Sequence, residues 1–426
     1  MINKITDTDT DTDNGIVWLI AGGRMQLPMV QEIKRRGYKL LLTDGNADCY
    51  CRAYADIFHQ IDTYDIAGHL ALAKQLVNAK QKPNAVLTDA ADVGMTVSYV
   101  AQELQLPSVP VEIATKINYK HNLRIALGLT YPVSITADHT MDYSDIWYKW
   151  RKKVNGKGLT ALPCIIKPSD NCASRGIVLV NGPREFEPAL DIAFTYTRNN
   201  HIIIEEKLNG TEIAIDWFVL NGKPYLMNCV KRIFRSFGIE RGHINPYSIK
   251  NVDNGKIHKI VQKAVTDLGI TDGPLKTDFI NDKIHSWCIV EAATRWSGGY
   301  DHGFTQKYAM GFNLEKILLD YALGLTINPA DLTFWENKFN SFSACYAFYE
   351  PDPERHARLV KYGADITQIP SEFMAVELGL KAIITQPYQE VKSDQFHNAQ
   401  RNVFIITHTK DFRTAWINAA NLGDTL

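Results

Sequence analysis

The chain has 426 residues, 45% of them apolar and 22% Asp, Glu, Lys or Arg, with a formal net charge of −1. That balance fits a folded protein of roughly two to four domains with a sizeable core. It excludes a global attraction for nucleic acid or anionic lipid, and no run of about eighteen apolar residues offers a spanning helix.

MINKITDTDTDTDN, residues 1–14, is polar and acidic and lacks the apolar core of a signal peptide. It reads as a disordered leader, and the expected location is the cytoplasm, without nucleic-acid or membrane partners. Seven cysteines are scattered along the chain. Cys49 and Cys51 are close, but no second pair or histidine cluster follows, so reduced thiols are expected rather than a sulfur-bound zinc.

From Gly15 the pattern becomes regular. IVWLIAGG is an apolar strand entering a glycine turn, and PMVQEIKRRGY predicts a helix ending near Gly37. KLLLTDG predicts a second strand ending at Asp44. IAGHLALAKQLVNAK predicts another helix, and AVLTDAADVG a strand followed by a turn. This alternation predicts an open parallel α/β domain over residues 15–110. IAGG is not the full dinucleotide fingerprint and reads as a tight turn. Asp44 stays open between a ribose contact and a turn cap.

KINYKHNLRIALGL, Lys116 to Leu129, predicts one helix with Lys120 and Arg124 on a shared face. LPCIIKPSDNCASRGIVLV reads as strand, polar loop, strand. Lys167 ends the first strand, and Ser174, Arg175 and Gly176 sit in a loop able to bring backbone N–H groups to an anion. HIII is a strand candidate ending in Glu205 and Glu206. EIAIDWFVL, NGKP and YLMNCV form a predicted hairpin. KRIFRSFGIERGH reads either as a solvated loop or as a carboxylate-binding segment acting through Lys231 and Arg232.

GPLKTDFINDKIHSWCIVEAATR predicts a second hairpin with Asp278 on one arm and Glu291 on the other. A simple two-residue-turn register does not set these acids opposite each other. Arg295 follows Glu291 by four residues, so a plain salt bridge between them is the bland alternative. Trp296, Tyr300, Asp301 and His302 read as pocket wall or as packing and capping groups. Residues 326–426 read as a closing α/β subdomain.

In order, NYKHNLRIAL, CIIKPSDNCASRGIVLV, IIIEEKLNGTEIAIDWFV and the Asp278–Glu291–Arg295 segment resemble the ATP-grasp superfamily, specifically its carboxylate–amine ligase-like members. The resemblance implies an α/β chain: an N-terminal open parallel domain followed by an ATP-grasp fold of α+β lobes. Linker helices and the small lobe would span 111–200, and the large lobe 201–325. It implies that Lys120 and Lys167 meet the ATP phosphates and that the loop with Ser174, Arg175 and Gly176 covers them. Glu205 and Glu206, with the backbone at Lys207 and Leu208, would hold the base, and Glu212 the ribose. Asp278 and Glu291 would ligate magnesium, with manganese as an alternative. Arg295 would act at the reacting phosphate, and Lys231 and Arg232 on the carboxylate substrate. Many relatives carry asparagine two residues after the second metal carboxylate; here the residue is Ala293, which offers no ligand atom.

The implied activity joins a small carboxylic acid to an amine, amino acids among the candidates, through an acyl phosphate with release of ADP and phosphate. The alternatives are a bicarbonate-activating carboxylase or carbamoyl-phosphate-type enzyme, and a catalytically weak nucleotide sensor. A nicotinamide oxidoreductase leaves the downstream lysines and acids without a role. Relatives also dimerise through the first domain, which makes a homodimer an expectation.

Overall fold

The structure is a computed structural model that describes residues 14–248, 255–333, 341–370, 378–389 and 398–426. Most of the acidic leader and residues 334–340, 371–377 and 390–397 of the expected closing subdomain fall outside those residues.

The first domain is a parallel sheet of β1 (Ile16–Ile20), β2 (Lys39–Asp44), β3 (Ile57–Gln60) and β4 (Ala85–Leu87), in the order β3-β2-β1-β4. The IVWLI run is apolar at every position because a central parallel strand is covered on both faces; Val17, Trp18, Leu19 and Ile20 are fully buried. Helices α1 (Leu27–Arg35), α2 (Ile66–Asn78) and α3 (Gly94–Leu104) supply the cover. Asp44, Asp89 and Asp92 lie at or beyond the carboxyl ends of the strands, where open α/β sheets place their ligand-facing loops.

The single helix expected over 116–129 is two: α4 (Val111–Asn118) and α5 (Lys120–Ala126). Tyr119 between them is extended, at φ −97° and ψ 116°. The Lys120 backbone N–H donates to the Ser169 carbonyl at 2.9 Å, so it is tied to a loop instead of continuing the helical ladder. The small lobe then follows as β5 (Ser134–Asp138), α6 (Tyr143–Asn155), β6 (Cys164–Pro168), β7 (Val178–Val180), α7 (Phe186–Tyr196) and β8 (His201–Glu206). Its antiparallel sheet runs β5-β8-β6-β7, so this lobe extends past residue 200 to Glu206.

The large sheet comprises β9 (Gly210–Leu220), β10 (Lys223–Ser236), β11 (Ile239–Asn245), β12 (Gly273–Asp282), β13 (Ser286–Ala293), β14 (Phe342–Phe348), β15 (Leu380–Thr385) and β16 (Val403–Thr409). Its order is β13-β12-β9-β10-β11-β14-β16-β15. Asn221 and Gly222, with φ 52° and 72°, make the tight turn joining β9 to β10. The segment expected as a loop, 231–243, is instead the long end of β10 and most of β11. Its alternation of Ile233 with Arg232 and Phe234 suits a strand with one apolar and one cleft face. Residues 326–426 do not build a sheet of their own, because β11 pairs with β14 and continues the large sheet.

One face of the large sheet packs on α4, α5 and the helix Lys256–Leu268. The other packs through Phe218, Met227 and Trp296 onto Val17, Leu19 and Leu27 of the first domain. Trp296 is therefore core, and this shared core fixes the first domain against the large sheet beside the cleft.

Candidate active site

A cleft of about 780 Å³ opens between the three sheets. It is lined by Lys120, Lys167, Ser174, Arg175, Glu205, Glu206, Leu208, Glu212, Arg232, Asp278, Glu291 and Arg295, which the sequence had spread over 176 positions. Three residues named with them do not line it. Lys231 alternates with Val230 and Arg232 on β10, and only the latter two face the cleft. Lys207 lies between the lining residues Glu206 and Leu208. Gly176 turns away with φ 71°, so close to Tyr196 and Pro168 that a Cβ there would lie 2.7–2.8 Å from their atoms.

The β12–β13 hairpin shows how the two acids meet. Asp282 pairs with Ser286, and the register is regular as far as Phe279 with Ile289. Asp278 then pairs with Glu291, leaving Val290 as an extra residue on β13. This β-bulge sets the carboxylates directly across from each other, correcting the register expected from a simple turn. The arrangement suits a divalent ion. Asp278 Oδ1 is buried without a hydrogen-bond partner, while the Glu291 side chain is 36% exposed towards the cleft. Hard cations favour such oxygen donors.

Cations surround the pair. Lys120 Nζ lies 3.1 Å from Glu291 Oε1 and donates to the Asn171 carbonyl at 2.7 Å. Lys276 Nζ lies 2.5 Å from Asp278 Oδ2 and stands across the ladder from Ala293. Arg232 reaches Asp278 Oδ2 at 3.6 Å and Glu240 Oε2 at 3.0 Å. The bland alternative, a Glu291–Arg295 salt bridge, does not form: Glu291 faces Lys120, and Arg295 Nε donates to Asp92 Oδ1 of the first domain at 2.8 Å. The Arg295 NH1 group also donates to the Trp296 carbonyl at 2.8 Å, which fixes the guanidinium plane.

On the small lobe, Glu205 is the shared anion. Arg124 NH2 and Lys167 Nζ approach its two oxygens at 2.8 and 2.5 Å. Arg124 also donates to the Val290 carbonyl at the bulge, at 2.7 Å, and so joins the small lobe to the carboxylate hairpin. Lys120 and Arg124 are thus buried ion-pair members and not a solvated face. Glu206 accepts from the Val133 backbone at 3.0 Å and meets His285 Nε2 at 2.6 Å.

Burial acts to raise the Glu291 carboxyl, but Lys120, Lys276 and Lys167 hold it far below the usual carboxylate range. Burial acts to lower the Lys120 ammonium, yet Glu291 keeps it above its ordinary value. Lys167 differs: burial, with Arg124 and Lys120 nearby, pulls it below the ordinary lysine value despite Glu205. Burial is the leading cause that raises Glu212. Burial also pushes Glu240 upward, but Arg232 and Arg401 outweigh it and bring its carboxyl to about 2.

At the far end, Tyr300 and Phe404 form an aromatic wall with ring centroids 4.6 Å apart. Asp301 begins a π-helical turn, Asp301–Gln306, and its Oδ1 accepts from Asn228 and Asn245 at 3.0 and 2.9 Å. Sequence reasoning missed Asp92, Glu240 and Lys276. Lys276 had a signal, since two residues from Asp278 on a strand means the same face. Asp92 carried a weaker one, in the loop after a parallel strand. Glu240 was hidden by the loop reading of 231–243.

Residues 160–302 match the family model of the ATP-grasp domain. A D-alanine–D-alanine ligase of Buchnera aphidicola subsp. Schizaphis graminum is 32% identical over 139 residues, 31% of this chain and 44% of that protein. The matched stretch thus spans less than half of that curated relative. Among solved structures, an L-amino acid ligase from Bacillus licheniformis superposes with a TM-score of 0.75 at 18% identity, covering 97% of this chain and 98% of the other. An N5-carboxyaminoimidazole synthetase from Staphylococcus aureus complexed with ADP gives a TM-score of 0.68 at 17% identity, covering 96% and 98%. These likenesses extend the fold over nearly the whole chain.

Proposed function

We propose that this chain, whose residues 160–302 match the ATP-grasp domain, is an ATP-dependent ligase of that superfamily joining a small carboxylic acid to an amine. The observation that carries this reading is one cleft in which Lys120, Lys167, Lys276, Arg232 and Arg295 surround the facing carboxylates of Asp278 and Glu291. Phosphoryl transfer needs that combination of cations for phosphate oxygens and hard carboxylate oxygens for a metal.

Asp278, through its unpartnered Oδ1, and Glu291 would hold magnesium, which when bound neutralises charge on the phosphoryl oxygens. Lys167 from the small lobe and Lys120 from beside Glu291 hold the ATP phosphates. The loop bearing Ser174 and Arg175 covers them, and Ser174 Oγ is itself anchored on the Gly238 carbonyl at 2.8 Å. Arg295, fixed by Asp92, holds the substrate carboxylate as its oxygen attacks the terminal phosphorus and ADP leaves. The amine then attacks the acyl carbon, phosphate departs with the C–O bond's electrons, and the amine gives up a proton. The buried cleft restricts water, which would otherwise hydrolyse the acyl phosphate. The aromatic end at Tyr300 and Phe404 suits the organic substrates, for which amino acids are the proposed class.

The test is ADP release from purified protein with magnesium and pairwise panels of amino acids, with products identified by mass. Release that needs both an acid and an amine, and a product mass equal to their sum less water, is expected. Turnover dependent on bicarbonate, or ATP bound and never consumed, would overturn the proposal.

A further inference from the structure

A second cluster of ligand-type groups lies beneath the cleft, in the seam between the first domain and the large lobe. Asp89 follows β4, His302 sits in the π-helical turn, and Glu315 belongs to the helix Leu314–Ala322. Their donor atoms all lie within 4.8 Å of one another. Asp89, His302 and Glu315 are 0%, 2% and 1% exposed.

Three observations separate this trio from an ordinary ion pair. Both carboxylate oxygens of Asp89, Oε1 of Glu315 and Nε2 of His302 are buried without a directed hydrogen bond. His302 Nε2 is 2.8 Å from Asp89 Oδ1 and 3.7 Å from Glu315 Oε1, so the groups are close but poorly aligned with one another. The other ring nitrogen, Nδ1, meets the Ser297 carbonyl at 2.5 Å. A carbonyl can only accept, so Nδ1 carries a proton and Nε2 is the ring atom that faces the two acids. That outer hydrogen bond is the one metal-binding histidines use. The observed separations bracket the spacing of about 3.4 Å that follows from tetrahedral bonds of about 2.0–2.2 Å.

Charge points the same way. An unbalanced charge in a dry interior is costly. Two carboxylates, a neutral imidazole and a divalent ion sum to zero.

We propose that Asp89, His302 and Glu315 form a structural site for a divalent transition-metal ion of the zinc class, separate from the Asp278–Glu291 pair. An imidazole with two carboxylates suits zinc or manganese better than magnesium. The ion would bind the first domain to the turn bearing Asp301 and stabilise the floor of the cleft.

The experiment uses the full chain carrying Glu291→Gln, which weakens the phosphate-end site. After chelator stripping, the protein is reconstituted with zinc, freed of excess ion and analysed for metal content. One retained equivalent per chain is expected, with a zinc-dependent rise in the thermal midpoint of several degrees. Cobalt in place of zinc should give the visible absorption of a low-coordinate nitrogen–oxygen site. Adding His302→Gln or Glu315→Gln should remove both the retained equivalent and the midpoint shift. No retained zinc in the Glu291→Gln protein, or an equivalent kept by the His302→Gln variant, would overturn the site and leave a protonated His302 between two acids. Should both added variants fail to fold, the stoichiometry and the cobalt spectrum of the Glu291→Gln protein decide. None of these readouts depends on turnover, so they stand apart from the proposed ligase activity.

Discussion

The two walls of the cleft solve different charge problems. On the small-lobe wall, Arg124 and Lys167 share the single carboxylate of Glu205, and Lys167 is held below its ordinary range. On the large-lobe wall, Asp278, Glu291, Glu212 and Glu240 are interleaved with Lys120, Lys276 and Arg232, and Glu291 is driven strongly acidic. One wall has a surplus of positive charge that a polyphosphate would satisfy. The other keeps the unpartnered Asp278 Oδ1 beside the cleft-facing Glu291 carboxylate, which a cation would satisfy. Under the proposed function, the difference would draw a nucleotide and its metal from opposite sides, and phosphoryl transfer would need both walls.

The strongest way to break this contrast is on the acidic wall. Glu291→Gln should lower magnesium-dependent ADP release about 10³-fold, with the fold retained by circular dichroism; turnover within tenfold of wild type would remove Glu291 from the metal role. Glu240→Gln tests how the same wall is held together. Its carboxyl is depressed to about 2, so its stabilisation is present above about pH 4.5 and is lost as pH falls towards 2. The variant should be about 3 kcal/mol less stable in denaturant melts at neutral pH. The gap from wild type should close on acidification, and a pH-independent gap would refute the assignment.

On the basic wall, Lys167→Met should raise the KM for ATP and lower kcat/KM about 100-fold. Because burial depresses Lys167, its charge is lost at a lower pH than an ordinary lysine loses it. The alkaline limb of kcat/KM for ATP should therefore begin below the ordinary lysine range, and Lys167→Arg should move it higher. An unchanged limb would locate the titration elsewhere. Asp92→Asn, which loosens Arg295 without removing it, should cost about tenfold in kcat, rescued partly by Asp92→Glu. As the contrast to all of these, Glu112→Gln breaks a pair exposed to solvent on α4 and should leave melting and turnover unchanged.

Much of the molecule was legible in the chain. The apolar run of β1 and the strand–helix alternation announced a parallel domain, since a strand covered on both faces has no polar positions to spare. The Asn221–Gly222 turn announced the β9–β10 hairpin. Lys120, Lys167, Asp278, Glu291 and Arg295 stood out by type and order. The break at Tyr119 was hidden because it depends on the Lys120 N–H bonding to Ser169, 49 positions away. The strand at 231–243 was hidden because its polar face is a cleft wall, which a sequence pattern cannot distinguish from solvent.

The sequence by itself determined which chemical groups were present and on which elements they would sit. Local propensity and hydrophobic periodicity depend on neighbours along the chain, and those are written in it. Only the tertiary structure decided the partners: Asp278 beside Glu291 through the Val290 bulge, Arg295 on Asp92 instead of Glu291, and Asp89 with His302 and Glu315 in one buried seam. Electrostatic pairing is set by distance and burial in space, and residues hundreds of positions apart acquire both only when the sheets pack.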